Sequence, residues 1–251
     1  MNHITDIFNE LSEVESKARE AARRLWFEFA SPLKSDHWFL DVYGIRDHGL
    51  RVGPWRFRGD SVASSGQLLI PLQGLTDRVE TLVCIRQTCG GDELMPGTTL
   101  QGKFFRFGSG KPARPGYPAF YFTSDFVGAA VLYEVTGYPT FCCFDGDNCA
   151  AVAAAIQEAR ERAGTGPVEM VFLPDMGEPD GLRKAHNAAF TLGGYLIDYE
   201  SRGGNLSKKP PGTVWDAIVE RVKPTGRYVG SFDSPDWFGF DNLPSWTRFK
   251  R

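Results

Sequence analysis

Residues 119–148, AFYFTSDFVGAAVLYEVTGYPTFCCFDGDN, decide the fold. Ala119 to Thr123 is an apolar, aromatic run of strand length. Phe126 to Val135 reads as a helix, with Gly137 as its stop. Thr140 to Phe144 reads as a second apolar strand, running into Asp145-Gly146-Asp147-Asn148. Downstream the rhythm continues. Ala150 to Ala163 predicts an Ala-rich helix, Gly164-Thr165-Gly166-Pro167 a turn and Val168 to Leu173 a strand. Gly181 to Leu192 predicts another helix and Tyr195 to Tyr199 a final strand. Apolar strands alternating with helices predict a parallel sheet covered by helices. Such sheets place their chemistry at the carboxyl ends of the strands. Three ends carry acids: Thr123-Ser124-Asp125, Asp145-Gly146-Asp147-Asn148 and Asp175-Met176-Gly177-Glu178.

Upstream the character changes. Residues 108–118, GSGKPARPGYP, form a Gly/Pro linker. Before it lie three β-prone runs: Leu68 to Leu72, Glu80 to Ile85 and Lys103 to Phe107. Together they predict a small antiparallel sheet. Ser35 suits an N-cap for a short helix ending at Tyr43, with Gly44 beyond it. The first thirty residues predict one amphipathic helix. Its apolar stripe is Ile4, Phe8, Leu11, Val14, Ala18, Ala22, Leu25 and Phe29, and Ser31-Pro32 ends it. Acids precede bases along it, which suits the helix dipole, so Lys17, Arg19, Arg23 and Arg24 read as a solvated face. The tail, 201–251, is rich in aromatics and predicts one helix at Val214 to Val222 with irregular coil around it. The expected segments are an N-terminal helix (1–34), a small α+β module (35–114), the parallel-sheet domain (115–200) and the tail (201–251).

Composition narrows the function classes. With 42% hydrophobic and 24% charged residues the chain is globular rather than disordered. No apolar run approaches membrane-spanning length, so no membrane partner is expected. Lys+Arg 28 against Asp+Glu 31 gives a net charge of −3, so any nucleic-acid contact needs a local basic patch. The opening MNHITDIFNEL lacks the basic and apolar regions of a signal peptide, and five scattered cysteines suit a reducing cytoplasm, the expected location.

Two groups of residues carry candidate chemistry. Asp125, Asp145 and Asp175 at neighbouring strand tips, with Glu178, can converge on Mg²⁺, which takes hard oxygen ligands and clamps phosphate oxygens. The same acids can simply cap the helices that follow. Lys103, Phe104, Arg106, Lys111 and Arg114 interleave bases and rings, the chemistry of single-strand binding, and Arg51, Arg56 and Arg58 extend the patch. An edge strand with buried Phe and exposed charge gives the same pattern. Gly108-Ser109-Gly110-Lys111-Pro112 is not a phosphate loop, because Phe105 and Pro112 stand where Walker A needs a glycine and a hydroxyl. The cysteines lack zinc spacing.

From about Asp36 to Tyr199 the chain resembles the TOPRIM-type primases of plasmids and phages, the family that includes the conjugative-plasmid primases. His48-Gly49-Leu50-Arg51-Val52 resembles the family's segment before its sheet. Leu68-Leu69-Ile70-Pro71-Leu72 with Val79 to Ile85 resembles its hairpin, and Lys103 to Gly108 its following stretch. Ala129 to Pro139, then Phe144-Asp145-Gly146-Asp147-Asn148, resemble the helix, turn and strand end of its core, and Gly181-Leu182-Arg183-Lys184-Ala185 a later helix start.

The resemblance implies a TOPRIM-like, Rossmann-like parallel sheet and Mg²⁺-dependent nucleotidyl transfer. It also implies a glutamate closing the first strand and Asp-x-Asp closing the third. Here the glutamate position falls on Ser124 and the next glycine on Asp125, while the third strand gives Asp175-Met176-Gly177. The scaffold is kept and the acid set is eroded. The expected function is that of a nucleic-acid-associated, primase-like protein of a phage or plasmid system, with Mg²⁺-dependent transfer weak or lost and single- or double-stranded DNA as partner. The alternative is a non-catalytic protein that binds a host or replication protein through residues 5–30 and the aromatic tail.

Overall fold

The structure, a computed structural model, describes residues 2–34, 36–56, 58, 61, 63–85, 92–108, 119–175, 180–198 and 245–248. It divides into two units. One contains Met1–His37 and Asp47–Phe105, the other Trp38–Arg46 and Arg106–Arg251.

In the first unit, helix α1 (Asn2–Arg24) runs into a π-helical turn, Leu25–Phe29, closed by the Ala30 N–H donating to the Leu25 carbonyl at 3.0 Å. Five strands follow in sheet order: β1 (Ser31–Pro32), β2 (Arg51–Trp55), β3 (Ser64–Gln73), β4 (Val79–Ile85) and β5 (Asp92–Leu94), each antiparallel to its neighbour. Ala22 and Trp26 of the helical segment pack with Trp55, Leu69, Leu82 and Cys84 of the sheet. Pro71 lies inside central strand β3, where a missing N–H ordinarily breaks a ladder. It is tolerated because β2 begins at Arg51, opposite Leu69, so no β2 residue stands across from Pro71.

The π turn corrects the expected apolar stripe. Its wider ring changes the helix phase after Arg24. Trp26, four residues after Ala22, stays on the buried face, while Phe29, expected inside, is 55% exposed. The basic residues are engaged along the helix: Lys17 with Glu13, Arg19 with Glu15, Arg24 with Glu28, and Arg23 with the Val79 carbonyl.

The remaining elements are α2 (Trp38–Tyr43), β6 (Phe105–Phe107), β7 (Ala119–Thr123), α3 (Phe126–Thr136), β8 (Thr140–Cys142), α4 (Gly146–Arg162), β9 (Glu169–Phe172), α5 (Gly181–Leu192), β10 (Tyr195–Asp198) and β11 (Ser245–Arg248), all but Phe105 of β6 within the second unit. The sheet order is β11-β10-β9-β7-β8-β6. Strand β7 is parallel to β8 and β9, β9 is parallel to β10, and β11 closes one edge antiparallel to β10. Phe122 on β7 stacks against Phe141 (5.1 Å between centroids) and Phe172 (5.2 Å) on the flanking strands. Gly137 ends α3 at φ +69°, its N–H donating to the Tyr133 carbonyl at 2.7 Å. A Cβ there carries the left-handed penalty that glycine avoids.

The parallel core matches the sequence reading in kind and order. Four features differ. Residues 105–107 belong to the edge of this sheet rather than to the antiparallel one, where only Phe104 bridges Gln73. Helix α4 starts at Gly146, because Asp145 caps it. Strands β1, β2 and β5 join the first sheet beyond the expected runs. Residues 245–248 form a strand where coil was expected, and the expected helix at Val214 to Val222 lies outside the described residues. No helix among the described residues is long and apolar enough to cross a membrane.

Candidate functional site at the strand tips

The topology selects the location. From β7 the chain crosses to β8 on one side, whereas from β9 it crosses to β10 on the other. The right-handed crossover rule puts α3 on one face and α4 and α5 on the opposite face. The strands β7 and β9 therefore flank the topological switch point, where the loops part and leave a crevice. Ser124 and Asp125 follow β7, and Asp175 follows β9. Asp145 follows β8, on the other side of β7. All three expected aspartates thus stand at one edge of the sheet.

Their carboxylates are engaged differently. Asp125 is the N-cap of α3: Oδ1 accepts from the Val127 N–H at 3.1 Å and Oδ2 from the Gly128 N–H at 2.6 Å. A Cβ on residue 128 comes within 2.7 Å of that Oδ2, so glycine permits the close approach. Asp145 is the N-cap of α4, with Oδ1 accepting from Asp147 N–H (2.8 Å) and Asn148 N–H (3.2 Å). Phe144 before it holds φ +59°, a left-handed conformation unfavourable for an aromatic residue, and Asn148 steadies the turn by donating from Nδ2 to the Cys143 carbonyl at 2.8 Å. At the switch point the Ser124 hydroxyl, largely buried, donates to Asp175 Oδ2 at 3.5 Å. A Cβ on Gly181 overlaps the Asp175 carbonyl oxygen, so glycine lets the α5 N-terminus close against this loop.

Lys184, on the first turn of α5, was not singled out by sequence reasoning as a site residue. Its Nζ lies 3.4 Å from Asp145 Oδ2 and 3.2 Å from Asp147 Oδ2, with the side chain only 15% exposed. The neighbouring Arg183 pairs outward with Asp180 at 3.0 Å and holds that carboxyl below its usual range. The sequence carries little signal for it, since a lysine in a helix's first turn is only mildly unfavourable to the dipole.

These residues do not fit a Mg²⁺ cage of the kind the primase resemblance implies. Among the described residues no group of three or more His, Cys, Asp or Glu side chains is placed to hold a metal ion. Asp125 and Asp145 spend oxygens on helix caps, and the hydroxyl of Ser124 supplies no anionic charge. Burial pushes the nearby Cys143 thiol up, and Mg²⁺ takes hard oxygen ligands rather than sulfur. The Lys184 ammonium already compensates the charge of Asp145 and Asp147, which a divalent ion would otherwise draw on. Glu178 lies outside the described residues.

The nucleic-acid residues divide as well. Lys103 is 4% exposed, and its ammonium is held by the Thr99 carbonyl (2.6 Å), Thr99 Oγ1 (2.9 Å) and Glu15 Oε1 (3.3 Å). Phe104 is 2% exposed. Both are interior residues rather than the surface contacts expected from the interleaved pattern. The run is an edge segment whose lysine turns inward to satisfy oxygens that α1 and the 98–103 turn leave there. Arg106 is half-buried, with Nε donating to the Gly108 carbonyl at 3.2 Å. Lys111 and Arg114 lie outside the described residues. In the first unit, Arg51 is drawn against Trp26, both its ring and its carbonyl, while Arg56 and Arg58 are exposed.

No protein-family model and no curated protein matches the chain. Among solved structures, one described as the DnaG primase catalytic domain bound to ssDNA is similar at a TM-score of 0.50 and 10% identity, covering 94% of this chain and 81% of that one. A structure of the DnaG catalytic core gives a TM-score of 0.43 and 11% identity over 84% of this chain and 75% of that one. The likeness is one of fold: a mixed α/β architecture similar to primase catalytic domains.

Proposed function

We propose that this protein is a nucleic-acid-associated chain of a phage or plasmid system, built on a primase-like fold, in which Mg²⁺-dependent nucleotidyl transfer is weak or lost. The observation that carries the reading is the pairing at the switch point. Ser124 stands where the family resemblance implies a glutamate, and it donates a hydrogen bond to Asp175. A hydroxyl in that position supplies neither the negative charge for a metal nor a carboxylate base. The overall likeness to a DnaG catalytic domain described as bound to ssDNA supports nucleic acid as the partner. Of the expected nucleic-acid contacts, Arg106, Lys111 and Arg114 are the cations in the second unit proposed to meet phosphate.

The test is fluorescence anisotropy with single-stranded DNA across a salt series, wild type against the triple variant R106A/K111A/R114A. Phosphate contacts release counterions, so the wild-type affinity falls with salt. The log–log slope of the variant is shallower by about 2, from three contacts at roughly 0.7 each. Affinity indifferent to salt, or an unchanged slope in the variant, sinks the assignment.

A second reading draws on Phe27 and Phe29, 64% and 55% exposed at the end of the N-terminal helical segment. Exposed aromatics are hot-spot material. They support a non-catalytic phage or mobile-element protein that binds a host or replication protein through residues 5–30 and the tail. Absence of DNA binding in the same assay favours this reading.

A further inference from the structure

We propose that Lys184 is a built-in cation for the strand tips. Its ammonium sits between Asp145 and Asp147 at the end of β8, compensating their charge, and it ties α5 to the start of α4 without a metal ion. Three observations converge. Lys184 reaches two carboxylates at 3.4 and 3.2 Å, and it does so across 39 and 37 residues of sequence, so the contact is tertiary rather than an accident of one helix turn. Its side chain is 15% exposed, unlike the 60% of Arg183 beside it, which faces outward to Asp180. Asp145 is divided cleanly, with Oδ1 serving the backbone of α4 and Oδ2 serving the ammonium. A cation in the first turn of α5 is unfavourable for that helix, and the two anions facing it offset the cost. The inference rests on reading the tips as a site that has lost its metal, but it concerns metal affinity and not DNA.

The experiment is a Mn²⁺ titration followed by water-proton relaxation on the full chain. The proteins are wild type, K184M, K184Q and K184M/D145N. Removing the ammonium exposes two carboxylates, so K184M is expected to bind Mn²⁺ about tenfold or more tightly than wild type. D145N in that background abolishes the gain. K184Q gives the same gain where K184M does not fold. Wild-type binding as tight as in the variants overturns the proposal, as does a gain that survives D145N. Wild-type protein carries a test of its own. With ¹⁵N-labelled lysine, the Lys184 ammonium signal keeps its position when Mg²⁺ is added, and displacement of that signal overturns the proposal. A failure of DNA binding leaves these outcomes unchanged, so the two readings fail separately.

Discussion

Two lysines, one in each unit, are turned inward, and their surroundings differ. Lys103 is almost wholly buried, with its ammonium on the neutral oxygens of Thr99 and on the Glu15 carboxylate of α1. Lys184 keeps a sliver of exposure and faces two carboxylates, one of them on a residue 77% exposed. The first ammonium is a fastening for α1, since it joins Glu15 to the Thr99 oxygens. The second compensates charge at a surface edge, where water can take over much of its task. The same residue type is thus structural in one unit and electrostatic in the other, and the partners decide which.

That contrast predicts unequal costs. K103M removes the ammonium from the Thr99 oxygens and from Glu15, which keeps its Arg19 partner, and lowers unfolding stability by about 1.5–3 kcal/mol, as losing hydrogen bonds to a charged group does. K184M costs about 1 kcal/mol or less, because its partners are solvated. Urea denaturation of both variants checks the ranking, and equal losses erase the distinction between the two sites.

A smaller effect sharpens it. The hydrogen bond from Arg19 holds the Glu15 carboxyl below its ordinary value near 4.5, burial opposes that shift, and Lys103 adds to it. A carboxylate whose pKa is lowered on folding stabilises the protein fully above its unfolded value, and that contribution is lost as pH falls through the folded value. Wild type is therefore expected to lose stability below about pH 4.5 more steeply than E15Q, in urea midpoints measured from neutral pH downward. Parallel profiles show that Glu15 contributes nothing through this linkage.

Much of the second unit is legible in the sequence because its elements are local. Strand β7 and helix α5 fall on the expected residues, each bounded by punctuation the chain carries nearby: Gly137 after the first helix, Gly193 after the last. What escaped the sequence is non-local. The pairing of β1 with β2 and of β10 with β11 depends on partners far along the chain, and nothing in Ser31-Pro32 or Ser245–Arg248 announces them. The π turn hides for another reason. A single widened ring leaves no compositional trace, yet it turns Phe29 out of the core. In the candidate site, the three aspartates were readable as strand-end acids, and their placement on one edge follows from the parallel order. Their capping bonds were an open alternative, which the geometry realises for Asp125 and Asp145. Lys184 went unread because a lysine four residues into a helix is ordinary until α4 is known to lie beside it.

The most direct measurement is a crystal structure of the wild-type chain grown in excess Mn²⁺, with anomalous data at the manganese edge. The account predicts the Lys184 ammonium between Asp145 and Asp147, the Ser124 hydroxyl on Asp175, and no manganese peak at the strand tips. A peak ligated by Asp145 or Asp175, with Lys184 swung away, contradicts it.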